Sequence, residues 1–268
     1  MKIAASQTQC GMTLIECMIA LTLGMLVTLA ATALLLSAQK TYLAIDDGAR
    51  IGDTGAFAMD VLAAAIRQTA YADRSVHRER TAAPKQPENM LLGFDDASLR
   101  GKELDFAERR TAGLDHSDAL ITRFMATDAA GAIDPNMRNC GGHAAKKPIT
   151  DDTLYNWSIF YVGKGKSGET QLFCKYRDKK QQFRASAIAG GVENMQFQYG
   201  VDLNRDGLPD TFVNADAVAS KDWQNVEAVD IVLTIQDGRD RSRRQFHRMV
   251  ALRNHSNFHA GGDRHETE

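Results

Sequence analysis

The chain has almost no excess of charge of either sign. Its formal net charge is −2 and its isoelectric point is near 6.4, which removes the electrostatic reason to expect a nucleic-acid partner. Cysteines are few: Cys10, Cys17, Cys140 and Cys174. There is no G-x-S-x-G elbow. His116-Ser117-Asp118 does not make up for it, because neighbours in a strand point to opposite faces. The run Gly163-Lys164-Gly165-Lys166-Ser167-Gly168 lacks the first glycine of a phosphate-binding loop, with Phe160 in its place. It joins two expected strands and reads as a hairpin turn. The tail histidines His255, His259 and His265 lack the tight spacing of a metal site. These absences leave no enzyme to expect and no cofactor that the chain requires.

What the chain does have is one long apolar run, Gly11 to Ala38, with a single charge in it, Glu16, and no proline. At about 1.5 Å rise per residue such a helix crosses a hydrocarbon core of about 30 Å. A carboxylate held deep there costs roughly 2.5–3.5 kcal/mol on insertion scales, so it needs a partner. The positive group within reach is a free amine at the start of a helix, its own or a neighbour's. Residues 1–11 contain no apolar core, so they do not read as a secretory signal peptide. A plain signal anchor with a chance acid is the alternative to a functional Glu16.

Gly11-Met12-Thr13-Leu14-Ile15-Glu16 resembles the prepilin peptidase site of type IV pilins and type II secretion pseudopilins. The resemblance implies cleavage between Gly11 and Met12, N-methylation of Met12, and a subunit-pairing role for Glu16. Met12 stands where the family usually has Phe, and the leader is less basic than usual. Cleavage would remove Cys10 and place Cys17 in the bilayer. That leaves Cys140 and Cys174 as a pair suited to a disulfide in an oxidising compartment, the alternative being two free thiols.

Beyond Ala38 the helical pattern continues and turns amphipathic. Ile45, Phe57, Val61, Leu62, Ala65 and Ile66 form the expected buried stripe, and Gly48, Gly52 and Gly55 predict a bend or a fray. One helix is therefore expected from 12 to about 72, with its transmembrane part at about 12–38. Residues 73–268 read as a β-rich domain with a frayed tail. Strands are predicted at 116–126, 155–162, 170–176, 192–201, 226–235 and 245–253. Met195, Phe197, Tyr199 and Val201 alternate with polar residues, as do Val229, Ile231, Leu233 and Ile235, which argues an antiparallel sheet with one wet face. Residues 73–90 and 127–150 read as loops.

Four further segments are similar to the PilW minor pilins: 53–62 with Ala70-Tyr71, 116–120, 191–200 and 250–254. The resemblance implies an α+β, pilin-like fold: a long N-terminal helix packed on an antiparallel β domain. It also implies a role in priming or capping a type IV pilus. The implied partners are other minor and major pilins, the prepilin peptidase, the inner-membrane assembly platform and the lipid bilayer. The implied location is the inner membrane, with the N-terminus cytoplasmic and the domain periplasmic, and then the fibre. A J-like type II secretion pseudopilin is the rival of the same class. A calcium-dependent tip adhesin is the rival of another class.

The last motif is Asp202-Leu203-Asn204-Arg205-Asp206-Gly207-Leu208-Pro209-Asp210. Asp202, Asn204, Asp206 and Asp210 put oxygens at the first, third, fifth and ninth places of a calcium-type loop, and Leu208 offers its carbonyl at the seventh. Val213 stands where an EF-hand has Glu, so the loop is expected to be a calcium site of another kind or a turn rich in Asp and Asn. Arg239, Arg241, Arg243 and Arg244 read as a solvated hairpin tip, with lipid headgroups or DNA as the alternative contact.

Overall fold

The computed structural model describes residues 13–69, 90–99, 110–125, 133, 135–144, 155–180, 182–236 and 242–252. Gly11, Met12, Arg239, Arg241 and the tail histidines lie outside the described residues. The architecture is α+β and pilin-like, with one N-terminal helix and antiparallel sheets. The chain divides into two compact units, Met1–Arg50 and Ile51–Glu268.

Helix α1 runs Leu14–Gln68 without interruption. Its first part, rich in Leu, Ala and Met, has side chains exposed throughout, among them Leu21, Met25, Leu29 and Leu36. The threonines there satisfy themselves. Thr22, Thr28 and Thr41 donate their hydroxyls to Ile19, Met25 and Ser37 carbonyls at 2.9, 2.9 and 3.0 Å. A hydroxyl paired inside its own helix adds no unpaired polar group to an apolar surround.

In the second unit α1 buries Ile51, Gly55, Ala58, Met59, Leu62, Ala63, Ala65 and Ile66. This corrects the expected stripe, because Ile45 and Phe57 are exposed and Val61 is only partly covered. The buried face mixes small residues, Gly55, Ala58, Ala63 and Ala65, with large ones, Ile51, Met59, Leu62 and Ile66. A Cβ on Gly55 would stand 2.3 Å from the Phe246 ring, so the glycine is there for close approach and no break occurs.

Among the described residues eleven strands follow: β1 Leu91–Phe94, β2 Ser98–Leu99, β3 Arg110–Thr111, β4 Ala119–Met125, β5 Tyr155–Lys164, β6 Thr170–Arg177, β7 Phe183–Gly190, β8 Val192–Val201, β9 Thr211–Val213, β10 Val226–Gln236 and β11 Arg243–Ala251. They form a five-stranded sheet β1-β4-β5-β6-β7, a four-stranded sheet β11-β10-β8-β9 and a ribbon β2-β3, with every pair antiparallel. Two main sheets stand where the sequence predicts one. Their facing sides share a single core: Leu120, Phe160 and Leu172 from the first, and Met195, Tyr199, Ile231 and Leu233 from the second, with Leu62 and Ile66 of α1. The other side of the five-stranded sheet is also covered, around Ala97, Ala119, Ile121 and Ile159. Strands β4 and β5 are thus largely buried on both faces and show no strict alternation, with Thr122, Asn156 and Ser158 buried among apolar neighbours.

The sheets are stitched together at residues 114–118. Ser117 Oγ donates to the Glu193 carbonyl at 3.3 Å and the Asp118 amide to the Met195 carbonyl at 2.8 Å. The Asp118 carboxylate accepts the Phe197 amide at 2.9 Å and the Asp96 amide at 3.1 Å. Burial is the main cause that pushes the Asp118 carboxyl up to about 6; the two amides oppose it, and the charges of Asp95 and Asp96 add to it. An acid whose folded pKa is raised contributes stability fully present below its unfolded pKa near 4 and lost as pH rises through 6. Asp178 is held low by the Gln182 and Lys180 amides and by Arg184 despite its desolvation, and its contribution is lost only on acidification below about 4. The melting midpoint in EDTA is therefore expected to fall as pH rises from 4.5 to 6.5, and Asp118→Asn is expected to make that limb shallower, the rest of the slope belonging to the buried Glu227 carboxyl, which is raised to about 7. A midpoint that climbs across the window contradicts this account.

Candidate functional site

The start of α1 is built by Thr13 and Glu16. Thr13 is the residue before the first helical one, so its side chain can cap the free amides of the first turn. The Glu16 carboxylate accepts the Thr13 amide at 2.8 Å and the Thr13 hydroxyl at 2.9 Å, while the Glu16 amide approaches Thr13 Oγ at 3.4 Å. This is a capping box, T-x-x-E, legible in the sequence as Thr13-Leu14-Ile15-Glu16. It adds neutral donors to the positive partner expected for Glu16. The carboxylate already has two donors in its own chain, and its second oxygen stays available.

Cys140 and Cys174 form a disulfide, with Cα atoms 6.4 Å apart and a sequence separation of 34. It ties the turn at 139–144 to β6. Asn139 organises that turn: its Oδ1 accepts the Gly141 and His143 amides at 3.1 Å each, and its Nδ2 donates to Asn156 Oδ1 at 3.1 Å and to the Arg177 carbonyl at 2.9 Å. Cys17 is free and exposed.

The loop after β8 brings its acids together. Asp202 Oδ1 accepts the Arg205 amide at 2.5 Å, and Oδ2 the Gly207 amide at 2.7 Å. Asn204 Oδ1 accepts the Asp206 amide at 2.9 Å, and Asp206 Oδ1 the Leu208 amide at 2.8 Å. Asp210 Oδ2 accepts the Leu203 and Asn204 amides at 2.7 and 3.2 Å. Asn204 Nδ2 lies between Asp206 Oδ2 at 3.2 Å and Asp210 Oδ1 at 3.1 Å. Despite its burial, Asp202 is held below the usual carboxylate range by the Gly207 and Arg205 amides. Among the described residues no three His, Cys, Asp or Glu side chains are already grouped as a metal site.

A residue without any motif signal sits beside this loop. Strand β10 carries a bulge between Val226 and Ala228 where it pairs with β8, and Glu227 is the extra residue. Glu227 is 95 % buried, being 5 % exposed, and its Oε1 has no hydrogen-bond partner. Burial first, and the charge of Asp202 second, push its carboxyl up to about 7. Its neighbour Asn225 is buried too, its Oδ1 likewise unpartnered, and its carbonyl accepts the Asp202 amide at 2.9 Å.

The other sequence candidates are dispersed. His116 Nδ1 meets Asp96 Oδ2 at 3.3 Å, whereas Ser117 Oγ donates to the Glu193 carbonyl and the Asp118 carboxylate accepts the Phe197 and Asp96 amides, so the three are not bonded to one another and make no triad. Residues 165–169 close the β5–β6 hairpin, with the Gly165 amide donating to the Glu169 carbonyl at 2.7 Å. Arg243 pairs with Glu193 at 2.7 Å.

Two family models match the chain. One, described as type IV pilus-assembly protein W, covers residues 159–261, from inside β5 past the end of β11. The other, the prokaryotic N-terminal methylation motif, covers residues 6–32, the start of α1 included. No curated protein and no solved structure matches significantly.

Proposed function

We propose that this chain, which carries a PilW-type region behind a prepilin-type methylation motif, is a minor pilin that primes assembly of a type IV pilus. The observation that carries the reading is the first part of α1, long and apolar enough to cross a membrane and without a single buried residue in its most apolar window. An apolar helix surface left bare by its own chain needs lipid or other helices around it. Lipid covers it while the subunit waits in the inner membrane, and the helices of neighbouring pilins cover it in the fibre. Residues 1–11 are the leader. The prepilin peptidase cuts before Met12, the new terminus is methylated, and the domain from 73 onward lies in the periplasm until the assembly platform moves the subunit into the fibre. Work of this kind is packing and register, with no reaction of the chain's own.

The test is the intact mass of protein extracted from the membrane. The expected mass lacks residues 1–11, carries one added methyl group and is two hydrogens lighter for the disulfide. A chain that begins at Met1, or anywhere but Met12, removes the reading. Deletion of the gene is expected to abolish piliation and leave type II secretion intact. The reverse phenotype assigns the chain to the pseudopilins.

A further inference from the structure

The loop Asp202–Asp210 has the oxygens of a calcium loop but not the acid at its twelfth place, where Val213 stands. Calcium takes six to eight oxygens, and a loop that supplies only four side chains and a carbonyl needs another carboxylate from elsewhere. The fold places one beside it. Glu227 is 5 % exposed with Oε1 unpartnered, and Asn225, 8 % exposed, keeps its own Oδ1 unpartnered. Both lie where β10 passes the first loop residue, the Asp202 amide being bonded to the Asn225 carbonyl at 2.9 Å. Burying a carboxylate oxygen with no donor is costly, and native structures keep such groups where an ion or a water completes them. The bulge is the device that turns Glu227 out of the ladder; a regular pairing of β10 with β8 would leave no extra residue there.

We propose that the Asp202–Asp210 loop and Glu227 together hold one calcium ion, Glu227 supplying through space the acid that the loop lacks in sequence. Asn225 Oδ1 and the Leu208 carbonyl complete an all-oxygen set of mixed kind. A flexible set with carboxylates, amides and a carbonyl suits calcium, whereas magnesium demands a tighter octahedron and keeps its waters. Asn204 joins by turning its side-chain amide over, which brings Oδ1 to the place between Asp206 and Asp210 that Nδ2 holds. Filling the site ties the loop to β10 of the four-stranded sheet.

The experiment uses the full chain in detergent micelles, stripped with EDTA and titrated calorimetrically with calcium chloride, with magnesium chloride as control. The expected result is one calcium per chain at or below about millimolar concentration, as in extracellular calcium modules, and weaker magnesium heat. Asp206→Ala is expected to abolish the calcium heat, and Glu227→Gln to weaken binding at least about tenfold. Melting curves separate this from misfolding. In EDTA, Glu227→Gln is expected to melt no lower than the wild type, because it removes a buried unpaired carboxylate. In calcium only the wild type gains. Full-strength binding by Glu227→Gln overturns the role of Glu227. No calcium heat from the wild type overturns the site altogether. Leader loss and methylation, read by mass, are independent of both, so the pilin reading stands or falls separately.

Discussion

Glu16→Ala is expected to pass through leader cleavage normally and then to enter fibres at least about tenfold less than the wild type, a loss of roughly 1.4 kcal/mol or more of assembly free energy. Two interactions could account for that loss. One is the capping box, in which Thr13 donates its amide and hydroxyl to the carboxylate. Removing a cap costs a helix about 1 kcal/mol. The other is the charge itself, which in lipid needs a positive partner that the described part of the chain's first turn does not contain. The terminal ammonium of an adjacent mature subunit would be such a partner, and pairing with it would fix the axial step between helices. Two further variants tell these apart. Glu16→Gln keeps an acceptor for Thr13 and discards the charge, whereas Thr13→Ala keeps the charge and the backbone-amide bond and discards the hydroxyl half of the cap. Pairing between subunits predicts that Glu16→Gln fails like Glu16→Ala while Thr13→Ala assembles nearly as well as wild type. If Glu16→Gln incorporates normally, the acid serves its own helix and pairing is refuted. Quantitative immunodetection in sheared fibres, against total mature protein in the membrane, reads the difference.

Replacing Cys140 and Cys174 together by alanine is expected to lower the stability of the β domain by about 4 kcal/mol. Chain entropy gives that figure for a closed loop of 34 positions. For a domain of this size the melting midpoint should drop by roughly 10 °C. The turn at 139–144 should loosen first. Its anchors then include the Asn139 hydrogen bonds, the Cys140 amide on Ser158 Oγ at 3.0 Å and Asn156 Nδ2 on the His143 carbonyl at 3.0 Å, each worth about 1 kcal/mol. Cys174 itself lies in the main core, so reducing the wild type with dithiothreitol provides the check without a cavity. Equal melting of oxidised and reduced protein would refute the claim. The free Cys17, exposed in the apolar part of α1, should be blocked beforehand to prevent cross-linking between chains.

Much of this molecule is legible without a structure. The apolar run around Glu16 specifies a helix and an anchor from composition alone. The alternation in β8 and β10 identifies two strands whose outer faces are less buried than their inner ones. The thiols at 140 and 174 were readable as a pair because the leader and the apolar run account for the other two. Strand β7, Phe183–Gly190, was not readable, being an edge strand of mostly small, exposed residues. Strand β9 is too short to show a period.

Periodicity is a property of neighbours along the chain, so residue order alone marks where α1 runs, which strands have a dry side, and that Glu16 is an anomaly in its surroundings. Tertiary structure decided everything that depends on closeness between distant positions. It turned Gly55 and Ala58, and not Phe57, to the buried face of α1, where the Phe246 ring stands against Gly55 and leaves no room for a side chain. It split the strands into two sheets with a shared core. It also brought Glu227 beside a loop that begins 25 positions earlier, at Asp202, because one extra residue in β10 leaves the ladder at that level.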